Sequence, residues 1–138
     1  MRLKAAASGF FIAMDKLLWI RITALSGALA VVLGAFAAHG LKEMLPPQLM
    51  ETYHTAVRYH FIHTLALLIT INLPLSASSR LWAVRCFLLG IILFSGSLYL
   101  IAFTGISMLG VITPLGGTAF IVGWLLLFTA TQKDAAED

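Results

Sequence analysis

The chain has 138 residues, a net charge of +3 and one cysteine. At 60% hydrophobic and 11% charged, with a mean hydropathy of +0.96, it is excluded from the ordinary soluble domains and reads as a single domain dissolved in lipid. Its small positive charge marks orientation in a membrane and gives no basis for a nucleic-acid partner, and a lone Cys86 rules out an internal disulfide.

Residues 1–16 are expected to form an N-terminal cytoplasmic segment. Arg2 and Lys4 precede a short apolar run over residues 5–13, which superficially resembles a signal peptide. No clear cleavage site follows, and Asp15, Lys16 and a longer apolar span come next. Met14 is an alternative start, so residues 1–13 are read as an extension or an interfacial helix.

The membrane domain is expected over residues 17–131. Its first helix spans residues 17–39, with Lys16, Trp19 and Arg21 as interfacial anchors. Ala30, Gly34 and Ala38 recur every four residues, and Ser26 and Gly27 extend this face of small residues. Such a face lets a second helix approach closely, and the fourth helix is the expected partner. Gly40 suits the position just past the helix end, after His39 in the last turn.

A short loop with Lys42 and Glu43 leads to Pro46 and Pro47, and Pro47 fits the first turn of a second helix over residues 47–73. At ~1.5 Å per residue this helix is about 40 Å long, more than the hydrocarbon thickness. Its first half is polar, and the helix as a whole holds three of the four histidines. Asn72, Pro74 and residues 76–80 are read as the loop that ends it.

The third helix is expected over residues 82–104. Ser95, Gly96, Ser97 and Tyr99 interrupt its apolar run, and Thr104 and Gly105 end it. A tight, uncharged turn leads to the fourth. That helix either starts at Thr113 as N-cap with Pro114 in first place, or starts near Met108 and kinks at Pro114. Gly116 and Gly123 share a face for close packing. Residues 132–138 form an expected cytoplasmic tail.

Together these runs predict an all-α integral membrane bundle of four antiparallel transmembrane helices. Basic residues concentrate at one end: Arg2, Lys4, Lys16, Arg21, Arg80, Arg85 and Lys133, against Lys42 and Arg58 at the other. The positive-inside rule then puts both termini in the cytoplasm and the polar start of the second helix at the outer face.

The candidate site is the polar group on the second helix with the hydroxyls that face it. Helical spacing puts Glu51, His54 and Arg58 on one face, where Glu51–His54 and His54–Arg58 form an expected ladder. His60 shares a different face with Tyr53 and Thr64, and His63 lies between that face and Tyr59. Polar groups bare in hydrocarbon cost several kcal/mol, so these residues are expected to meet His39, Ser95, Ser97, Tyr99 or Thr113. Two readings stand: an interhelical network that fixes packing, or a site for a small ligand, ion or proton. His60 and His63 have i,i+3 spacing, yet no acidic residue or cysteine pair completes a metal set, so neither metal nor cofactor is expected. Ser95 and Ser97 lack a glycine-rich elbow, and the expectation is a non-enzymatic protein. Its partners are the lipid bilayer and, left open, a second copy or a subunit of a membrane complex.

Four stretches carry a family resemblance: L-G-A-F-A-A-H-G-L at 33–41, Y-H-T-A-V-R-Y-H-F-I-H-T-L-A-L-L at 53–68, L-F-S-G-S-L-Y-L at 93–100 and T-P-L-G-G at 113–117, followed by G-W at 123–124. In this order the chain resembles the YgdD-like family of small four-helix bacterial inner-membrane proteins. Ala37 stands where that family commonly has glycine, and residues 1–13 have no counterpart in typical members. The resemblance implies the fold and a multi-pass inner-membrane location, and it implies no activity.

Overall fold

The structure, a computed structural model, describes the backbone of residues 2–134 and the side chains of residues 16–130. The side chains of the expected cytoplasmic segment and tail, with Arg2, Lys4 and Lys133, therefore lie outside the described residues apart from Lys16.

The elements are α1 (Arg2–His39), α2 (Pro47–Asn72), α3 (Ala77–Gly90), a π-helical turn (Ile91–Ser95), α4 (Gly96–Thr104), a 3-10 turn (Ser107–Val111) and α5 (Thr113–Asp134). The π turn joins α3 to α4 without a break, so the chain forms four long helices. Pro46 and Pro47 set the start of α2 as expected from their fixed φ and missing N–H. Residues 77–80 are not loop. Ser76 Oγ accepts the Ser79 N–H at 3.2 Å, a serine cap that starts α3 five residues before Trp82. Gly105, at φ 70°, ends α4 in the left-handed conformation that glycine adopts without strain.

Thr113 and Pro114 do open α5, with residues 107–111 as a separate turn and not a kinked extension. Thr113 does not cap it, because its hydroxyl is bonded to Ser97 on α4. Among the described residues, three stretches are long and apolar enough to cross a membrane: Lys16–His39, Ala77–Thr104 and Ser107–Ala130. Helix α2 is not one of them, because Arg58, His60, His63 and Asn72 dilute its apolar half.

Helix packing corrects the expected pairing of the first and fourth helices. Helix α1 packs on α2, α2 packs in turn on α3, the π turn and α4, and α5 packs on α3 and the π turn. The small face of α1 consists of Thr23, Ala30 and Ala37, each buried, with Gly27 against Thr64 and Gly34 against Val57 of α2. Ala38 is exposed, because alternating steps of three and four keep a straight helix facing its neighbour better than repeated steps of four. The expected glycine face of α5 is realised against α3. Gly116 lies on the Phe94 backbone, Gly123 on the Phe87 ring, and Gly90 of α3 on the Phe120 ring.

The bundle is apolar outside as well as in its core, and several polar side chains are buried within it. Leu25, Val32, Leu115 and Trp124 are exposed, whereas Thr70, Ser95, Ser97, His60 and His63 are buried. Exposed apolar side chains over the length of three helices suit hydrocarbon. The polar interior then needs internal partners, since lipid offers none.

Candidate functional site

Helix α2 holds both buried histidines, and three residues of spacing turn them to different neighbours. His60 is 3% exposed and bridges two helices. Its Nε2 lies 3.0 Å from Ser26 Oγ on α1, and its Nδ1 lies 3.3 Å from the Tyr99 hydroxyl on α4. Ser26 Oγ also lies 2.7 Å from Thr64 Oγ1. The result is a continuous line, Thr64–Ser26–His60–Tyr99. Every hydroxyl in it both donates and accepts, so either imidazole tautomer satisfies it. Beside it, Tyr53 is fully buried and donates its hydroxyl to the Leu33 carbonyl at 2.9 Å, with its ring edge-on to Tyr99.

His63 is fixed differently. Its Nδ1 is 2.9 Å from the Tyr59 carbonyl, which can only accept, and its Nε2 receives the Trp124 indole N–H at 3.3 Å, which can only donate. These two partners select the neutral ring with its proton on Nδ1. The ring lies flat on Phe120, with centroids 3.5 Å apart, and Tyr59 lies beside the pair, near-parallel to both rings and tilted against Phe94. His63 is the polar centre of an aromatic cluster between α2 and α5.

The remaining candidates do not join these two groups. Ser97 Oγ donates to the Phe94 carbonyl at 2.9 Å, so Thr113 must donate to Ser97 at 2.7 Å; this bond ties α4 to the start of α5. Ser95 is fully buried in the π turn, and its Oγ has no partner. His39 is exposed at the end of α1.

The ladder expected of Glu51, His54 and Arg58 does not form. All three are exposed, and among the described residues none of their side chains has a hydrogen bond or ion pair. Exposed pairs of long side chains gain little over their lost freedom, so spacing on one face did not bring them together. No group of three or more His, Cys, Asp or Glu side chains converges among the described residues.

Sequence reasoning missed Ser26 and Trp124 as partners of the two histidines. Ser26 read as part of a small face and Trp124 only as part of the G-W pair at 123–124; only the packing of the helices brings them to the rings.

Ser26, His60 and Tyr99 help line a groove of about 370 Å³ between α1 and the third helix, with their polar atoms nearly covered and the groove surface almost wholly apolar. Its walls are aliphatic: Leu25, Leu29 and Leu33 on one side, Leu88, Ile91 and Ile92 on the other. An apolar groove with a few convergent polar groups is the usual form of a small-molecule site.

A family described as "Protein of unknown function (DUF423)" matches residues 33–117, which include every candidate site residue inferred from the sequence. The chain is 44% identical to the UPF0382 membrane protein YwdK of Bacillus subtilis over 118 residues, 83% of this chain and 96% of that protein. It is 42% identical to a UPF0382 membrane protein of Staphylococcus epidermidis, covering 85% of this chain and 97% of the relative. A UPF0382 membrane protein of Haemophilus influenzae is 41% identical, at 83% and 94% coverage. No solved structure matches. Matched over most of its length by proteins named for the membrane, and carrying apolar helices long enough to cross one, the chain belongs to the DUF423 family of UPF0382 membrane proteins.

Proposed function

We propose that this protein is a non-enzymatic, multi-pass membrane protein that binds a small, membrane-soluble molecule through a neutral hydrogen-bonding group such as a carbonyl or hydroxyl. The observation that carries this reading is the groove between α1 and the third helix, aliphatic on its walls and lined also by Ser26, His60 and Tyr99. A ligand arriving from the bilayer meets an almost wholly apolar surface, with the nearly covered polar atoms of Ser26, His60 and Tyr99 behind it. The hydrogen-bonded line tolerates either tautomer of His60, so it can offer the ligand a donor or an acceptor.

The same reading places the protein in the bacterial inner membrane as four antiparallel transmembrane helices with both termini cytoplasmic. It is supported by the basic side chains Lys16, Arg21, Arg80 and Arg85 at one end of the bundle. Helix α2 spans as the fourth member, with its polar groups turned to the other helices. Reporter fusions after Leu45 and at the carboxyl end test this arrangement. A cytoplasmic signal after Leu45 overturns it.

Catalysis is disfavoured by the surroundings of Ser26. It has a histidine in reach, but it sits inside α1, where backbone amides are spent on the helix and none is free to hold an oxyanion. Ser97 gives its proton to a carbonyl.

A second reading, a network that serves only helix packing within this chain or a larger membrane complex, is favoured by the fact that both His60 nitrogens already have partners. Gly96→Leu, which takes up groove space at a position where an added Cβ meets nothing within 4 Å, separates the two. A packing network keeps cellular function in that variant, whereas a ligand site loses function while the melting temperature holds.

A further inference from the structure

A second cavity lies one helical turn from the groove, at the basic end of the bundle. It holds about 120 Å³ and is lined by Lys16 and Trp19 of α1, Ile71 of α2, and Arg80, Leu81 and Val84 of α3. Two cations thus meet in a cavity otherwise walled by apolar side chains, with no carboxylate among its described lining residues. Arg80 is held in place by a 2.6 Å bond from its Nη2 to the Leu75 carbonyl, and its Nε–H is buried without an acceptor. The guanidinium beside the cavity is a fixed cation, and an anionic oxygen is the strongest acceptor for its remaining donors. Ser76 caps α3 one turn before Arg80, so the positive end of that helix adds to the field.

We propose that this cavity binds the phosphate of an anionic glycerophospholipid, with Lys16 and Arg80 as its ligands. The phosphate oxygens accept from the Arg80 guanidinium and the Lys16 ammonium. The glycerol backbone lies against Trp19, an indole suited to the level of the head groups. The acyl chains leave into the surrounding hydrocarbon. A lipid fits better than a soluble phosphate because the walls beyond the two cations are Ile71, Leu81 and Val84, which water-soluble anions gain nothing by touching. The position agrees with the end of the bundle where basic residues gather, and basic residues beside a membrane attract acidic lipids. This site is independent of the His60 groove, and neither reading needs the other.

The test is binding to the full chain in neutral detergent, read by native mass spectrometry and by thermal shift. The probes are phosphatidylglycerol, phosphatidylcholine with the same acyl chains, and inorganic phosphate. Phosphatidylglycerol is expected to bind at least about fivefold more tightly than phosphatidylcholine, and inorganic phosphate is not expected to compete at millimolar concentration. Lys16→Gln is expected to weaken phosphatidylglycerol binding about fivefold or more, and Arg80→Gln further. Because Arg80→Gln also loses the Leu75 bond, Lys16→Gln, at an exposed position, keeps the test valid if that variant fails to fold. Arg85→Gln, on a side chain that stacks over Trp82 outside the cavity, and His60→Ala are expected to leave the affinity unchanged. Equal affinity for the two lipids, or binding unaffected by Lys16→Gln, overturns the proposal. Competition by inorganic phosphate overturns the assignment to a lipid.

Discussion

The His63 ring and the Phe120 ring lie 3.5 Å apart between centroids and within 12° of parallel, while Trp124, one turn further along α5, donates to His63 Nε2 at 3.3 Å. One histidine is therefore stacked by one residue of α5 and hydrogen-bonded by another.

Its proton position follows. Nitrogen NMR of the detergent-solubilised protein is expected to show His63 as a neutral ring protonated on Nδ1, because the Tyr59 carbonyl demands a donor and the indole demands an acceptor. Trp124→Phe keeps most of the ring packing and removes the indole N–H. A loss of about 0.6–1.7 kcal/mol is expected, the range of hydrogen bonds measured within membrane helices. An Nε2-protonated ring in the wild-type protein would refute the assignment.

Gly116 and Gly96 give opposite outcomes for the same added methyl. A Cβ at Gly116 would run into the Phe94 backbone, which has no rotamer to yield, whereas a Cβ at Gly96 meets nothing within 4 Å. Gly116→Ala is expected to cost about 1–3 kcal/mol or more by overpacking. Gly96→Ala is expected to be neutral or to stabilise by about 0.4–1 kcal/mol through the unfolded chain. Melting temperatures of the two variants decide it, and similar destabilisation in both would contradict the packing of α5 on the π turn.

Two buried serines also separate. Ser95 Oγ has no partner, so Ser95→Ala removes an unmade hydrogen bond and is expected to be neutral or stabilising by about 1 kcal/mol. Ser26→Ala strips both His60 and Thr64 of a partner and is expected to destabilise by about 1 kcal/mol. A larger loss at Ser95 than at Ser26 would reverse the account of the interior.

Glu51 and Arg58 are expected to be energetically uncoupled. Both are exposed on α2 and share no ion pair. In a cycle of Glu51→Gln, Arg58→Leu and the double variant, the effects on stability should add to within about 0.3–0.5 kcal/mol. Rescue of Arg58→Leu by Glu51→Gln would show that the pair forms after all.

These cases show what the sequence carried. Pro47, the apolar runs and the glycines of α5 announced helices and close contacts, because chain geometry and volume are local properties. His60 and His63 stood out because an imidazole among aliphatic residues needs a partner. The partners themselves were not legible. Ser26 and Trp124 are distant in the chain, and which helix faces which depends on how side-chain volumes fit, as the pairing of α1 with α2 shows. The π turn was hidden for the same reason: residues 91–95 read as ordinary apolar helix, and the widening places the Phe94 backbone against Gly116. Arg58 failed in the other direction, since shared helical phase with Glu51 did not bring the two charges together.

The claim at the centre of this account is that the groove above Ser26, His60 and Tyr99 holds a membrane-soluble ligand. The most direct measurement is mass spectrometry of small molecules extracted from protein purified in mild detergent, comparing wild type with Gly96→Leu. Gly96 lines the groove, and a Cβ there meets nothing within 4 Å, so a leucine is expected to take up groove space without a clash at its Cβ. The expected result is a compound bearing a carbonyl or hydroxyl, present in near-stoichiometric amount in wild type and reduced at least about tenfold in Gly96→Leu at unchanged melting temperature. An identical set of bound molecules in the two proteins, or none in wild type, would contradict it.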